Sequence, residues 1–195
     1  MTGKVAVVTG GASGIGLAVA RRLARDGVRV AIADLNGEAA RVEADKLAAE
    51  GATALGVVLD VADRAAVERG FAEVRRTLGP VAILVNSAGK EGYRRFLNIS
   101  VEKWEELLRI NLTGTFHCCQ VAVPDMIEAG WGRIVTISSS SAQSGAPNMA
   151  HYVASKGGVI GLTKALAREL ADRHITANTI PPTIVDTPID RKSVV

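Results

Sequence analysis

The sequence predicts an α/β fold in which helices cover both faces of a doubly wound parallel sheet, giving three layers. Short runs rich in β-branched residues alternate with longer amphipathic segments, which is typical of strand–helix–strand units. No linker, internal repeat or change of composition divides the 195 residues. We therefore expect one domain over residues 1–195.

The expected strands are the short β-branched runs. They are Val5–Thr9, Arg29–Asp34, Ala54–Leu59, Ile83–Asn86, Arg133–Ser138 and Ile175–Ile180. A doubly wound sheet places six such strands in the order 3-2-1-4-5-6.

The expected helices lie between these strands and show apolar side chains at spacings of three and four, as in Leu162, Leu166 and Leu170. They are Ile15–Asp26, Gly37–Glu50, Arg64–Leu78, Val101–Ala129 and Tyr152–Arg173. Asp63 and Ser100 stand where N-cap residues are expected.

Composition limits the class of protein. With 48% hydrophobic and 22% charged residues, the chain is typical of a globular protein, and its net charge of +3 is spread without the dense basic run of a nucleic-acid surface. No secretory leader or membrane-spanning run is visible, so a cytoplasmic location is expected. The adjacent Cys118 and Cys119 are predicted to be free thiols. His151 and His174 lack zinc-ligand spacing, so no metal is expected, and His151 is predicted to lie in a substrate cleft or on the surface.

A glycine-rich turn, TGGASGIG at Thr9–Gly16, joins the first strand to the first helix. Free N–H groups and the helix dipole favour a phosphate there, and glycine allows close approach of the backbone. The alternative is a tight structural turn. Asp34 ends the second strand, where a carboxylate can accept hydrogen bonds from an adenosine ribose and repel a 2′-phosphate; its alternative is a helix N-cap.

The stretch ISSSSAQSGAPNMAHYVASK at Ile137–Lys156 is expected to carry the chemistry. In a helix, the spacing of Tyr152 and Lys156 places both side chains on one face. A nearby ammonium lowers the pKa of a phenol toward the range that suits a general acid or base. The alternative is an ordinary surface pair.

Five ordered motifs resemble the short-chain dehydrogenase/reductase family over essentially the whole chain. They are TGGASGIG, the pair Asp60-Val61, NSAG at Asn86–Gly89, Asn111 in RINLTG, and Tyr152-Val-Ala-Ser-Lys156 with Ser139 thirteen residues before the tyrosine. The resemblance implies a Rossmann-type fold, a nicotinamide dinucleotide and a homo-oligomer, either a dimer or a tetramer. Within the family, the chain resembles in particular the members that reduce 3-oxoacyl thioesters.

By this resemblance, Ser139 orients the substrate oxygen, Tyr152 is the acid or base, Lys156 lowers the pKa of the tyrosine and holds the nicotinamide ribose, and Asn111 positions a water for proton relay. Ser138, Ser140 and Ser141 offer equivalent hydroxyls, and Asn111 could instead bond a backbone group. The implied cofactor-binding residues are Gly10, Ser13, Gly14, Ile15, Gly16, Asp34, Leu35, Asp60, Val61, Asn86, Ala88, Gly89, Tyr152, Lys156, Ile184 and Thr187.

The chain departs from the family after the sixth strand. Pro181-Pro182 replaces a Pro-Gly pair, which removes a backbone donor just before Ile184 and Thr187. The sequence also stops at Val195, whereas the family continues into a helix over the substrate and a seventh edge strand. We therefore expect either a truncated chain or a part of a longer one, in both cases without the seventh strand.

The favoured function is an NAD-dependent oxidoreductase that interconverts a secondary alcohol and a ketone, with 3-oxoacyl reduction or 3-hydroxyacyl oxidation as implied reactions; NADP is the less favoured cofactor. The alternative is a non-catalytic dinucleotide-binding or scaffold protein. Retention of Asn111, Ser139, Tyr152 and Lys156 together favours the enzyme. Sugar-nucleotide epimerases also carry YxxxK, but the short chain and the TGxxxGxG form argue against them.

Overall fold

A computed structural model describes residues 1–185, and six parallel strands form its centre. Thr187, predicted to contact the cofactor, lies outside the described residues. The strands are β1 (Val5–Thr9), β2 (Arg29–Asp34), β3 (Ala54–Val58), β4 (Val81–Asn86), β5 (Gly132–Ile137) and β6 (Ile175–Ile180). Their order is β3-β2-β1-β4-β5-β6, which confirms the predicted Rossmann-type topology.

Helices cover both faces of this sheet. They are α1 (Gly14–Arg25), α2 (Gly37–Ala49), α3 (Arg64–Thr77), α4 (Val101–Leu108), α5 (Gly114–Glu128), α6 (Ser141–Ser144) and α7 (Ala150–Glu169), with 3-10 turns at Phe96–Asn98 and Ala171–Arg173. Asp63 accepts from the N–H of Ala65, and Ser100 accepts from the N–H of Lys103, so both predicted N-caps are confirmed. Among the helices within residues 1–185, none is long and apolar enough to cross a membrane.

The predicted helix Val101–Ala129 is not uniform. A π-helical turn at Arg109–Thr113 separates α4 from α5. A π turn widens the helix by one residue and is frequent at functional sites. Here it contains Asn111, whose side chain is fully buried and whose carbonyl accepts a hydrogen bond from the Thr115 hydroxyl at 2.7 Å.

The core lies on both sides of the sheet because successive side chains of a strand point to opposite faces. In β1, Val7 belongs to the apolar cluster that contains Phe71 of α3, whereas Val8 belongs to the cluster that contains Ala20 of α1. All five residues of β1 are buried. With both faces covered, the central strands β1 and β4 are buried along their whole length, which is typical of parallel sheets.

Cys118 and Cys119 are buried free thiols in α5, as predicted. Burial raises the pKa of Cys119 to about 12 and also raises that of Cys118. Both therefore act as small apolar core residues.

Candidate active site

A cleft of about 880 Å³ opens where the six strands end, and residues that follow every strand line it. This is the edge at which doubly wound sheets bind ligands. The sequence-predicted residues that line it are Gly10, Ser13, Gly14, Ile15, Asp34, Leu35, Asp60, Val61, Ala88, Gly89, Ser139, Tyr152, Lys156 and Ile184. Three others, Gly16, Asn86 and Asn111, do not line it.

The glycine-rich loop between β1 and α1 is tightly packed. Gly10 and Gly14 both have positive φ angles, 61° and 52°. A Cβ atom on Gly10 would lie 2.8 Å from the Cα of Ala88, a separation that real side chains do not tolerate. Ser13 is the N-cap of α1 and makes no side-chain capping bond, so the start of this helix is open to an anion.

Asp34 lies at the end of β2 beside this loop. One carboxylate oxygen accepts from the N–H of Ala12 at 3.1 Å and the other from the N–H of Asn36 at 3.0 Å. The N-cap of α2 is Asn36, whose side chain accepts from the N–H of Ala39. The alternative interpretation of Asp34 as that cap is therefore wrong, and its carboxylate is fixed at the rim of the cleft.

The residues that follow β3 form another wall of the cleft. Asp60 accepts from the N–H of Ala62 at 2.8 Å, which closes a tight turn. The carbonyl of Val61 accepts a hydrogen bond from Nδ1 of His117 in α5 at 3.0 Å. These bonds fix the backbone on which Asp60 and Val61 face the cleft.

The NSAG segment after β4 is held by hydrogen bonds to the end of β1. The Thr9 hydroxyl accepts from the N–H groups of both Ser87 and Ala88 at 3.2 Å. Asn86 is buried, and its amide donates to Sγ of Cys119 at 3.4 Å. Asn86 thus supports this wall, whereas Ala88 and Gly89 face the cleft.

Tyr152 and Lys156 lie one turn apart in α7, on the face that lines the cleft. Nζ of Lys156 is 5.9 Å from the centroid of the Tyr152 ring. Burial lowers the pKa of Lys156 to about 8, and the ammonium donates to the carbonyl of Ile137 at 2.8 Å. The pair is thus a built part of the cleft and not an ordinary surface pair.

The serine run after β5 divides into different roles. The Ser138 hydroxyl donates to the carbonyl of Ile180 and points at the neighbouring strand. The hydroxyls of Ser139 and Ser141 lie 2.8 Å apart, share a hydrogen bond and both line the cleft. Ser138 and Ser140 line the cleft as well, so Ser139 differs from Ser138 in its hydroxyl partner and not in its access to the cleft.

Asn111 is placed behind the cleft wall. Its side-chain oxygen accepts from the N–H of Lys90 at 2.8 Å, and its amide donates to the carbonyl of Lys90 and to the Ser155 hydroxyl, both at 2.9 Å. The alternative interpretation, in which the side chain bonds a backbone group, therefore describes this structure.

His151 was expected in the cleft or on the surface, and this prediction is wrong. Its side chain is 3% exposed, does not line the cleft and packs against Gly92. Burial, aided by the nearby Arg94, lowers its pKa. Neighbouring helix residues point about 100° apart, so lining of the cleft by Tyr152 directs His151 inward.

The segment after Gly89 contributes two charged residues that the motifs did not identify. Lys90 and Glu91 both line the cleft. The Lys90 ammonium pairs with Glu106 of α4, and Lys103 and Lys90 together lower the pKa of Glu106 to about 2. Oε2 of Glu91 is shielded from solvent and has no hydrogen-bond partner among residues 1–185. The only sequence signal was their position directly after NSAG.

The loop that begins with Pro181-Pro182 is attached to the serine run. The N–H of Ser140 donates to the carbonyl of Pro182 at 3.0 Å, and the N–H of Ser138 donates to that of Ile180 at 2.9 Å. The first bond uses a carbonyl of the loop, which proline retains, and the second uses the last carbonyl of β6. The donor that Pro182 lacks is therefore not needed for this attachment, and Ile184 still reaches the cleft.

Comparison with known proteins identifies the same family that the sequence motifs resemble. A family model described as short chain dehydrogenase matches residues 4–194. D-threitol dehydrogenase of Mycolicibacterium smegmatis is 42% identical over 193 residues, which cover 99% of this chain and 74% of that protein. The 3-oxoacyl-[acyl-carrier-protein] reductase FabG of Aquifex aeolicus is 39% identical over 188 residues, covering 96% and 76%.

Among solved structures, gluconate 5-dehydrogenase from Burkholderia cenocepacia, in complex with NADP and tartrate, superposes with a TM-score of 0.94 at 36% identity, covering 100% of this chain and 76% of that one. In this protein one cleft is lined by the glycine loop at the start of α1, the Tyr152–Lys156 pair and Ser139. The protein thus belongs to the short-chain dehydrogenase family, whose members are oxidoreductases with a nicotinamide dinucleotide cofactor, and it resembles the 3-oxoacyl-[acyl-carrier-protein] reductases within it.

Proposed function

We propose that this protein is an NAD-dependent oxidoreductase that interconverts a secondary alcohol and a ketone. The observation that carries the proposal is that Asp34 and the Tyr152–Lys156 pair line the same cleft. A non-catalytic dinucleotide-binding or scaffold protein, our alternative, would need residues that hold the dinucleotide but no acid or base such as the Tyr152 phenol. An ammonium buried next to a phenol is costly unless it serves that phenol or a ligand.

The residues of the cleft fit a dinucleotide along its length. The loop Gly10–Ile15 offers backbone N–H groups and a helix start for the pyrophosphate. Asp34 and Leu35 would hold the adenosine ribose, and Asp60 with Val61 the adenine. Ala88, Gly89, Tyr152 and Lys156 would hold the nicotinamide half, and backbone groups of Ile184 would bind its carboxamide.

The protein's own residues would then transfer the proton of the substrate hydroxyl. The bound nicotinamide supplies the hydride acceptor or donor. Tyr152 takes the alcohol proton in oxidation and returns it in reduction, and the Lys156 ammonium favours the phenolate form that accepts it. Ser139, supported by its bond to Ser141, donates to the substrate oxygen.

The proposed preference for NAD over NADP rests on Asp34. Its carboxylate is held by the N–H groups of Ala12 and Asn36 and cannot easily turn away. A 2′-phosphate at this rim would meet a like charge, whereas ribose hydroxyls would donate to it. Since gluconate 5-dehydrogenase was solved with NADP, the preference of this chain needs direct measurement.

Two substrate types follow from the relatives: sugar alcohols or sugar acids, as for threitol dehydrogenase, and 3-oxoacyl or 3-hydroxyacyl thioesters, as for FabG. Glu91 favours the first type. Its carboxylate lines the cleft, where a substrate hydroxyl could donate a hydrogen bond to it. An aliphatic acyl chain could not.

We also propose that residues 1–195 act as one domain carrying both cofactor and catalytic residues, in a cytoplasmic homo-oligomer. The free thiols Cys118 and Cys119 support a reducing compartment. Exposed apolar side chains near the start of α4, including Phe96 (71% exposed) and Leu97 (92%), support contact with a second copy.

The test is an NADH or NADPH absorbance assay of the purified protein with polyols, sugar acids and acyl thioesters, in both directions, together with dinucleotide titration. We expect turnover with at least one polyol and tighter binding of NAD than of NADP. Tight dinucleotide binding without turnover on any member of this panel would support the non-catalytic alternative instead.

A further inference from the structure

A buried polar network lies behind the cleft wall, and one of its members, Ser155, stands inside the YxxxK motif at a position to which the motif assigns no role. Ser155 is fully buried in α7, at the position just before Lys156. Its hydroxyl donates to the carbonyl of Tyr152 at 2.7 Å and accepts from the side-chain amide of Asn111 at 2.9 Å. Ser155 thus joins the helix of the catalytic pair to the π turn.

Asn111 in turn holds the backbone of Lys90 at two points. Its oxygen accepts from the N–H of Lys90 at 2.8 Å, and its nitrogen donates to the carbonyl of the same residue at 2.9 Å. An amide has two N–H hydrogens, and here one goes to Lys90 and the other to Ser155. The Ser155 bond therefore fixes the orientation in which the amide can hold Lys90.

The held segment forms the wall opposite Lys156. A Cβ atom placed on Gly89 would lie 3.2 Å from Oδ1 of Asn111 and 3.2 Å from Nζ of Lys156. Gly89 therefore lies between the two side chains, and a shift of its backbone would change the space in front of the ammonium. A displacement of about 1 Å in such a site can reduce turnover about 100-fold.

We propose that Ser155 is a positioning residue: through Asn111 it fixes the Gly89–Lys90 wall against which the nicotinamide end of the cofactor is placed. This inference rests on the proposed function only for its effect on turnover. The competing explanation is that Ser155 merely bonds back to its own helix, as buried serines often do.

Thr163 supplies a matched control in the same helix. It is 2% exposed, its hydroxyl donates to the carbonyl of Val159 at 2.8 Å, and it bonds the Thr136 hydroxyl at 2.7 Å. Like Ser155, it bonds back to a carbonyl of its own helix, four residues earlier instead of three, and makes one hydrogen bond to another element, but it does not line the cleft. Ser155→Ala and Thr163→Val therefore remove comparable buried hydroxyls.

The first measurement needs no substrate. Hydrogen exchange of the Lys90 amide should accelerate by about tenfold or more in Ser155→Ala and remain at the wild-type rate in Thr163→Val. In turnover, Ser155→Ala should lose about 10- to 100-fold in kcat. Its Kd for the dinucleotide should change by less than about threefold, and Thr163→Val should keep kcat within about twofold.

A double-mutant cycle separates positioning from general destabilisation. If Ser155 acts through Asn111, Ser155→Ala should have no further effect on kcat in an Asn111→Ala background, because coupled residues are not additive. Unchanged Lys90 exchange, or additive effects in the cycle, would overturn the inference. If the wild type shows no turnover, the proposed function fails and the exchange rates alone decide the role of Ser155.

Discussion

The ammonium of Lys156 donates to the carbonyl of Ile137 at 2.8 Å while 6% of the residue is exposed. Burial lowers the pKa of Lys156 from 10.5 to about 8, so the folded protein loses this proton at a lower pH than the unfolded chain does. Between these two values the unfolded state binds more protons. The free energy of unfolding should therefore rise with pH in this window.

The first prediction is that this rise is absent in Lys156→Met. Urea unfolding of the apoprotein at pH 7.5 and pH 10 should show wild type gaining on the order of 2 kcal/mol relative to the variant. Titration of other groups cancels in this difference. A constant difference between the two proteins across the window would mean that Lys156 titrates normally.

The second prediction is that Tyr152→Phe lowers kcat by about 100- to 10,000-fold, because it removes only the hydroxyl that transfers the proton. The Kd for NAD should stay within about threefold of wild type, since the ring that lines the cleft is retained. Steady-state kinetics and a fluorescence titration measure the two effects. Wild-type turnover in this variant would exclude Tyr152 as the acid or base.

The third prediction concerns Asp34. Asp34→Ala should weaken the binding of NAD by about tenfold and reduce the preference for NAD over NADP. The substitution removes two hydrogen-bond acceptors and a negative charge. Asp34→Asn is the matched control, since it keeps one acceptor oxygen and removes the charge. Isothermal titration with both dinucleotides distinguishes the contributions. Equal affinity of the wild type for NAD and NADP would contradict the assignment.

The fourth prediction is that Glu91→Gln raises KM for a polyol by about 3- to 10-fold, because hydrogen bonds to charged acceptors are stronger than those to neutral ones. KM for a 3-oxoacyl thioester should be unchanged within about twofold. Glu105→Gln, which removes an exposed charge from α4, controls for the change in net charge. Equal effects on both substrate types would show that Glu91 does not select for hydroxyl groups.

The sheet and its order were predictable because the central strands β1 and β4 are buried on both faces and the helices are buried on one, so the two periodicities are visible in the sequence. The motif residues then located the cleft, since the ends of parallel strands share one edge. The π turn at Arg109–Thr113 was not predictable. One inserted residue shifts the apolar period too little to be seen in a long helix.

The hydrogen-bond partners of individual side chains were the other feature that the sequence did not predict. The sequence identified Asn111 but not that its amide is shared between Lys90 and Ser155, which lie far from it in the chain. It identified the serine run but not that Ser138 turns to Ile180 while Ser139 pairs with Ser141. Such choices depend on contacts between elements that no local pattern records.

The join between β1 and β4 has a consequence for how the chain folds. Val5 pairs with Val81 and Thr9 with Asn86, so the centre of the sheet closes only after the first three strands and their helices have been synthesised. All five pairings are parallel and each needs a long crossover. High contact order slows folding, because loop-closure entropy is lost before distant strands can stabilise one another. During synthesis one edge of β1 is therefore unpaired until β4 emerges, and in that interval it can pair with the edge of another chain.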